Sequence, residues 1–364
     1  MKIVQLVFEL APGGGEKFVV NLSNQLVALG HDVTVMQLRN DETGIDIHFN
    51  RQFLADRVNY VNLNLTKGFT FGKAIKVMKA ITKINPDVVH THLNVLPYIY
   101  PLTILKPSIK FVHTLHNIAS KECSNSLQRK LNRLFYIRHL ITPVTISNEC
   151  RQSFIETYRL PSPSMILNGG VEIHPSPDFD KTKAEIASYK CSEKSKVFIH
   201  VARFNVQKYQ DLLIDSFNKL DAEGIDFTLL VLGLYFNSEQ AKPLVSRACK
   251  KIHFLGVRPN VGDYLLASDA FVLSSKWEGL PISILEAMAA SLPTISTRAG
   301  GVPSIIADGL NGYLSPAIEV NAFVATIKRF IESPLPSEPI YRLFKEKYSM
   351  EACCDEYLKV YNAK

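Results

Sequence analysis

Residues 197–201, Val197-Phe198-Ile199-His200-Val201, form a short apolar run that restarts a pattern first seen at residues 3–8. In both halves of the chain, such runs alternate with stretches whose apolar residues recur at helical spacing. Short apolar runs are typical of strands buried on both faces, and their alternation with helices is typical of parallel sheets. The sequence therefore predicts two doubly wound α/β domains.

The boundary between these domains is predicted from a break in both periodicities between Val171 and Ser195, where His174-Pro175-Ser176-Pro177 and a charged stretch occur. We expect an N-terminal domain over residues 1–172, a linker over about 173–194 and a C-terminal domain over 195–345, with a last helix over about 349–364 returning to the first domain. A cleft between two such halves is the default ligand site. The predicted strands are residues 3–8, 33–38, 87–90, 110–114, 141–145, 197–201, 228–232, 270–273 and 293–296.

Composition narrows the class of protein. With 364 residues, 46% of them hydrophobic, the chain is long enough for two domains that each bury a core. The first apolar run stops at Glu9 and has no features of a signal peptide or membrane span, so we expect a cytoplasmic protein. Its six cysteines show neither CxxC pairs nor metal-ligand spacing, which favours reduced thiols and no zinc or iron–sulfur site.

Part of the net charge of +7 lies in one segment, from Lys121 to His139, which holds five basic residues and one acid. The apolar residues of this segment recur at helical spacing: Leu127, Leu131, Leu134 and Phe135. Such a helix can lie on an anionic membrane surface, or it can pack by its apolar stripe and leave a basic face in water. Nucleic acid is not expected as a partner, because no stacking aromatics alternate with the charges.

The segment Glu278-Gly279-Leu280-Pro281-Ile282-Ser283-Ile284-Leu285-Glu286 places two carboxylates eight positions apart across a turn that becomes a helix. Pro281 suits the first position of a helix, and strong helix formers follow until Pro293. Glu278 should therefore lie ahead of the helix and Glu286 at least one turn inside it, with backbone N–H groups between them that suit phosphate. A solvated surface helix fits the same spacing, so the two carboxylates alone do not distinguish a binding site from an ordinary surface helix.

Two other turns carry ligand-binding residue types. Three glycines at 13–15 follow the first predicted strand, but Phe18 occupies the third glycine position of a dinucleotide motif, which disfavours hydride chemistry. Arg203 and Lys208 follow the apolar run 197–201, at the strand edge where open α/β sheets place binding loops. Two cations there can neutralise a diphosphate leaving group.

The order and spacing of these elements resemble the retaining family 4 glycosyltransferases of the GT-B fold, including their E-x7-E motif. In the second half the resemblance rests on Val201-Ala202-Arg203, Lys208, Val231-Leu232-Gly233, Phe254-Leu255-Gly256, Glu278-Gly279-Leu280-Pro281, Leu285-Glu286-Ala287-Met288-Ala289, Gly300-Gly301-Val302-Pro303 and Asn311-Gly312-Tyr313-Leu314. In the first half it rests on Gly13-Gly14-Gly15-Glu16, Asp87-Val88-Val89-His90-Thr91-His92, His113-Thr114-Leu115-His116 and Leu167-Asn168-Gly169-Gly170-Val171. The resemblance covers almost the whole chain.

This resemblance implies a metal-independent, retaining transferase that moves a sugar from a nucleotide diphosphate, with UDP as the first candidate, to a glycan or lipid-linked glycan at the cytoplasmic membrane face. Glu286 would bind the ribose hydroxyls, Glu278 would face the transferred sugar, and His116 would line the reaction centre. Arg203 and Lys208 would hold the diphosphate. The other donor-binding residues implied are Gly14, Gly15, Gly233, Val257, Leu280 and Ile282.

In this mechanism the leaving diphosphate assists the incoming hydroxyl, so no buried nucleophile is needed, and Arg203 and Lys208 replace a divalent metal. Asp178-Phe179-Asp180 has the form of a metal-binding DxD motif, but it lies in the predicted linker and is interpreted as coincidence. Two positions depart from the family pattern. Tyr209 stands where glycine is common and Ser304 where an acid is usual, which puts the shape of the diphosphate loop in question.

Other classes of function stay open. A sugar-nucleotide epimerase or a sugar phosphorylase could use the same fold, and a non-catalytic nucleotide-sugar-binding protein would keep the same residues. His90, His92 and His113 are expected to be structural, and no third ligand makes a metal pair of the first two. The acceptor cannot be deduced from the sequence, because variable loops near residues 40–68 and 118–132 would form its pocket.

Overall fold

The computed structural model describes residues 1–40, 47–123 and 125–363. The chain divides into two compact units, Met1–Gly169 with Met350–Lys364 and Gly170–Ser349. Each unit contains one parallel sheet with helices. The two doubly wound α/β units predicted from the sequence are therefore confirmed.

The first unit is built on a seven-stranded parallel sheet. Its strands are β1 (Lys2–Val7), β2 (Asp32–Arg39), β3 (Asn59–Leu65), β4 (Val88–His92), β5 (Lys110–Leu115), β6 (Thr142–Thr145) and β7 (Ser164–Met165). They lie in the order β3-β2-β1-β4-β5-β6-β7. The helices that follow the strands are α1 (Gly14–Ala28), α2 (Phe71–Ile84), α3 (Tyr100–Leu105), α4 (Ala119–Glu122), α5 (Ser126–Ile137) and α6 (Asn148–Tyr158).

The second unit is built on a six-stranded parallel sheet. Its helices are α7 (Phe179–Tyr189), α8 (Gln210–Ala222), α9 (Lys242–Ser246), α10 (Val261–Leu266), α11 (Ile282–Ala289), α12 (Val320–Glu332) and α13 (Ser337–Leu343). Its strands are β8 (Lys196–Val201), β9 (Phe227–Leu232), β10 (Ile252–Gly256), β11 (Ala270–Leu273), β12 (Thr294–Thr297) and β13 (Gly312–Ser315), in the order β10-β9-β8-β11-β12-β13. A last helix, α14 (Met350–Asn362), packs against α1 in the first unit.

Strand order reverses once in each sheet, between β1 and β4 in the first and between β8 and β11 in the second. Phe198 of β8 pairs with Ala270 of β11, so the loops that follow these two strands leave the sheet side by side. Doubly wound folds bind ligands at this reversal, beyond the carboxyl ends of the strands. The fold therefore brings the Arg203 and Glu278 segments together.

The segment predicted as a linker differs in the structure. Residues 173–194 contain α7, which packs against α10 and belongs to the second unit. The carboxylate of Asp263 accepts hydrogen bonds from the backbone N–H of Ser176 at 2.8 Å and from its hydroxyl at 2.5 Å. The prolines interrupt both periodicities, but tertiary hydrogen bonds fix this segment to its unit.

The basic segment from Lys121 to His139 is also arranged differently from the single helix predicted. It forms α4 and α5, and the Asn125 side chain caps the second helix by accepting from the N–H of Gln128 at 3.0 Å. Of the four apolar residues in its predicted stripe, only Phe135 is buried. The other three are exposed: Leu127 (67%), Leu131 (38%) and Leu134 (47%).

Candidate functional site

The loop after β8, residues 202–209, lies against the loop after β9. The backbone N–H of Phe204 donates to the Leu234 carbonyl at 2.8 Å. Gly233 makes this approach feasible, because a Cβ at this position would lie 2.0 Å from the Ala202 carbonyl oxygen, and its φ is +146°. Gly233, which the resemblance implies for donor binding, thus has a structural reason to be glycine.

Glu278 lies in the loop that follows β11 and is only 5% exposed. Its Oε1 accepts hydrogen bonds from Lys208 Nζ at 2.6 Å and Ser275 Oγ at 2.5 Å, and its Oε2 accepts from Gln207 Nε2 at 3.2 Å. The Lys208 charge compensates the carboxylate, which would be costly to bury unpaired. An ionised carboxylate has about four acceptor positions, so Glu278 retains capacity for about one further donor.

Backbone contacts join the loops that carry these two charges. Lys276 N–H donates to the Gln207 carbonyl at 2.8 Å, and Ser274 Oγ donates to the Lys208 carbonyl at 2.9 Å. Gln207 Nε2 also donates to the Trp277 carbonyl at 2.9 Å. No sequence pattern marks Gln207 or Ser275 as a site residue, because a polar residue beside a motif gives no signal of its own until the fold supplies its partner.

His200 is linked through the Gln210 side chain to the loop that carries Arg203. His200 Nδ1 donates to the Val272 carbonyl at 2.9 Å, so its Nε2 can accept from Gln210 Nε2 at 3.4 Å. Gln210 Nε2 also donates to the Arg203 carbonyl at 3.0 Å. Burial lowers the pKa of His200 to about 4; the Val272 hydrogen bond opposes this shift and the Lys208 charge adds to it. The imidazole is therefore neutral at pH 7.

Helix α11 separates the two predicted carboxylates. It begins at Ile282, so Pro281 occupies the capping position, one residue before the position predicted. Glu286 is half-buried just past the first turn. Leu280 and Ile282, which the resemblance implies for donor binding, are almost fully buried, with 5% and 6% of their surfaces exposed.

The predicted donor residues of the second half thus all belong to the second unit, and each follows one of its strands β8, β9, β10 or β11. Arg203 is exposed in the loop after β8, and Val257, 45% exposed, follows β10. The full set is Arg203, Lys208, Gly233, Val257, Glu278, Leu280, Ile282 and Glu286.

In the first unit the glycine turn contacts His116. Helix α1 starts at Gly14, so Gly14 and Gly15 form part of its first turn. A Cβ at Gly15 would lie 3.5 Å from His116 Cγ, whereas one at Gly14 would meet nothing within 4 Å. Phe18 packs edge-on against the His116 ring, with the ring centroids 5.3 Å apart.

His116 is half-buried, and its Nε2 lies 3.0 Å from Nδ1 of His92. Burial and then the neighbouring His113 lower the pKa of His116 to about 3, so the ring is neutral at pH 7. Its backbone N–H donates to Glu122 Oε2 at 2.8 Å. Nδ1 of His116 is buried and has no hydrogen-bond partner among the described residues.

Tyr209, where the family pattern has glycine, adopts the left-handed conformation with φ +47° at the start of α8. The Lys276 ammonium lies 4.1 Å from its ring centroid, a cation–π contact. Left-handed backbone is the reason that glycine suits this position.

The two aspartates of the DxD-like segment face lysines at the protein surface. Asp178 and Asp180 of the DxD-like segment are exposed and pair with Lys181 at 2.6 Å and Lys183 at 3.8 Å. No group of three or more His, Cys, Asp or Glu side chains in the described parts of the chain is arranged to hold an ion.

Solved structures define the class of fold. Anabaena Alr3699/HepE in complex with UDP superposes with a TM-score of 0.79 at 19% identity, over 99% of each chain. A glycosyltransferase from Rickettsia africae ESF-5 superposes with a TM-score of 0.80 at 18% identity, over 99% of this chain and 97% of the other. The architecture is that of the GT-B glycosyltransferases.

Sequence comparison then gives the family. Residues 12–174 match the family model "Glycosyltransferase Family 4", and residues 181–346 match "Glycosyl transferases group 1". The chain belongs to the family 4 type of GT-B glycosyltransferase, as the sequence motifs indicated.

Two curated relatives cover most of the chain. It is 27% identical over 324 residues to N-acetyl-alpha-D-glucosaminyl L-malate synthase of Bacillus anthracis, which spans 83% of this chain and 80% of that protein. It is 26% identical over 285 residues to UDP-Gal:alpha-D-GlcNAc-diphosphoundecaprenol alpha-1,3-galactosyltransferase of Escherichia coli, spanning 74% and 72% respectively.

Proposed function

We propose that this glycosyltransferase moves a sugar from a UDP-sugar to a glycan or lipid-linked glycan, with retention of anomeric configuration and without a metal ion. The observation that carries the proposal is the buried Glu278 carboxylate, held by Lys208 where strand order reverses in the second sheet. The names of the relatives add support, since one uses UDP-Gal on a lipid diphosphate and one structure holds UDP.

In this proposal the charges of the second unit divide the work. Arg203 and Lys208 neutralise the diphosphate as its bond to the sugar breaks, which favours the transition state over the bound donor. Glu278 accepts a hydrogen bond from a hydroxyl of the transferred sugar, and Glu286 accepts from the ribose. His116 of the first unit contributes a neutral imidazole to sugar binding.

Calorimetry with UDP, GDP and ADP tests the donor assignment. We expect UDP to bind most tightly and Glu286→Gln to weaken UDP binding about tenfold, a loss of about 1.4 kcal/mol. Glu239→Gln, at an exposed glutamate of the same unit (80% exposed side chain), is the matched control. No binding of any of the three nucleotides would refute the donor site.

Product analysis tests the reaction. We expect transfer to an acceptor glycan with the donor's anomeric configuration by NMR, at a rate that EDTA leaves unchanged. Conversion of a UDP-sugar without acceptor would indicate an epimerase, and sugar phosphate released by inorganic phosphate would indicate a phosphorylase. Nucleotide binding without turnover would favour a non-catalytic binding protein.

We also propose that helix α5 binds an anionic membrane surface. It buries Asn132, Phe135 and Tyr136 and leaves its leucines exposed, beside the exposed cations Lys130 and Arg133. The only acid of the segment, Glu122, has a side chain that is 7% exposed and accepts hydrogen bonds from the backbone N–H groups of His116 and Asn117, so little of its carboxylate lies at the surface. Exposed leucines among cations are the pattern of an interfacial helix.

Vesicle sedimentation tests this surface. We expect the protein to bind phosphatidylglycerol vesicles and to bind phosphatidylcholine vesicles only weakly. The triple variant Leu127→Ser, Leu131→Ser, Leu134→Ser should lose the binding to phosphatidylglycerol. Lys79→Gln with Lys83→Gln, at exposed lysines of α2, should bind like the unaltered protein. Equal sedimentation of the triple variant would refute the proposal. No helix in the described residues is both long and apolar enough to span a bilayer.

A further inference from the structure

Three polar side chains form a line across neighbouring strands of the first sheet. Gln5 lies on β1, His92 ends β4, and His116 follows β5. Gln5 Oε1 is 2.7 Å from His92 Nε2, and His92 Nδ1 is 3.0 Å from His116 Nε2. Gln5 and His92 are fully buried, so no water competes for these hydrogen bonds.

The line has one proton arrangement that satisfies every contact. An amide oxygen only accepts, so the proton of neutral His92 lies on Nε2, and its Nδ1 is left with a lone pair. His116 must then donate from Nε2, which leaves its Nδ1 without a proton. Burial lowers the pKa of both rings, which keeps each of them at one proton.

We propose that Gln5 and His92 are positioning residues that fix His116 as the Nε2–H tautomer and so present Nδ1 as a hydrogen-bond acceptor for a hydroxyl of the transferred sugar. This inference rests on the proposed function. Two atoms of the line, Nδ1 of His116 and Nε2 of Gln5, are buried without a hydrogen-bond partner, and of these only Nδ1 is an acceptor. It lies 3.7 Å from the place a Gly15 Cβ would occupy, beside a turn whose missing side chains let a ligand approach.

The same face of the sheet carries a second polar line that serves as a control. His90 Nε2 lies 2.8 Å from Thr114 Oγ1, which lies 2.8 Å from the Tyr357 hydroxyl. The ring centroids of His90 and His92 are 4.0 Å apart, but no hydrogen bond between these two rings joins the lines. Tyr357→Phe therefore disturbs the same core without removing a contact of Gln5, His92 or His116.

Nitrogen-15 NMR of the histidine-labelled full chain, without any ligand, tests the tautomer. In the unaltered protein we expect the proton of His116 on Nε2. Gln5→Leu removes the acceptor, so His92 can shift its proton to Nδ1 and His116 should shift to the Nδ1–H form. Gln5→Glu keeps an acceptor oxygen and should keep the original tautomer, and Tyr357→Phe should also leave it unchanged.

Kinetics with a UDP-sugar adds a second measurement. We expect Gln5→Leu to lower kcat about tenfold, the effect of one lost hydrogen bond, with KM for the donor changed less than about threefold. Gln5→Glu should recover most of that kcat. A His116 proton on Nδ1 in the unaltered protein, or a Gln5→Leu variant with unchanged spectrum and kcat, would overturn the inference. Absence of transfer in the unaltered protein would instead count against the proposed function, since the spectrum reports the tautomer without turnover.

Discussion

At the scale of single residues, Glu278 and Lys208 account for most of the chemistry proposed for this chain. They lie 70 positions apart, yet Lys208 Nζ and Glu278 Oε1 are 2.6 Å apart in a buried site. Each group makes the burial of the other tolerable, so neither can be replaced without cost to its partner.

Glu278→Gln keeps the size of the side chain but removes the charge that pairs with Lys208 and accepts the sugar hydroxyl. We expect the rate of transfer to fall by about 100-fold, the usual size of a lost transition-state contact, while UDP affinity changes less than about threefold. Steady-state kinetics and calorimetry on the same sample check both. A proportional loss of UDP affinity would mean that Glu278 binds the nucleotide instead, and Glu239→Gln controls for a loss of surface charge.

His200 predicts how stability depends on pH. Its folded-state pKa is about 4, below the unfolded value near 6.5, so the unfolded chain binds more protons between these limits. The contribution of His200 to the free energy of unfolding is therefore complete above about pH 6.5. It is lost as pH falls towards 4, by at most about 1.4 kcal/mol per pH unit.

Urea unfolding at pH 7, 6 and 5 measures this slope. His200→Gln removes the titrating ring, and we expect its free energy of unfolding to fall less steeply with acid than that of the unaltered protein. The histidines of the first unit contribute equally to both proteins, so the difference in slope reports His200. Identical slopes would contradict the prediction.

At the scale of secondary-structure elements, the start of α8 places a non-glycine residue in a left-handed backbone conformation. Tyr209 holds φ +47°, which costs a non-glycine residue roughly 1–2 kcal/mol, while its ring packs against the core of the second unit and under Lys276. Tyr209 therefore tolerates a left-handed backbone and adds side-chain contacts that glycine could not make.

Substitutions at Tyr209 separate the cost of the left-handed backbone from the stabilisation by the ring. Tyr209→Ala and Tyr209→Gly both lose the ring, but only glycine relieves the left-handed backbone. We expect the glycine variant to be more stable than the alanine variant by about 1 kcal/mol, although glycine is ordinarily the less stable choice in regular helix. Denaturant unfolding of the two variants measures the difference. A more stable alanine variant would show that position 209 is not strained.

The strands also show which elements a sequence pattern finds. The nine predicted strands are all present, and the four that were missed are the four edge strands: β3, β7, β10 and β13. Edge strands pair on one side, and three of these four have partly exposed residues or only two residues, so their apolar runs are weak. The fourth, β13, is buried but only four residues long.

At the scale of the whole molecule, the chain returns to its first unit after completing the second. Helix α14 belongs with Met1–Gly169 and buries Tyr357 and Tyr361 against that unit. Tyr357 reaches Thr114 with its hydroxyl at 2.8 Å, and Phe18 of α1 lies beside its ring at 5.8 Å between centroids.

Removal of residues 350–364 should therefore destabilise the first unit selectively. Each large buried side chain is worth about 1.5–3 kcal/mol, so we expect the thermal transition of that unit to fall by many degrees or disappear. Differential scanning calorimetry measures it, and a chain ending after Asn362, which keeps the helix, is the control. An unchanged thermogram would show that α14 contributes little.

The sequence alone determined the two α/β halves, the central strands and the identity of the charged candidates, because apolar periodicity and motif spacing are local properties of a chain. The tertiary structure decided which groups meet: Gln207 and Ser275 with Glu278, Gln5 with His92 across 87 positions, and α7 with its unit. It also decided that the leucines of α5 face outward. These facts depend on strand order and register, which bring distant residues together and which no local pattern records.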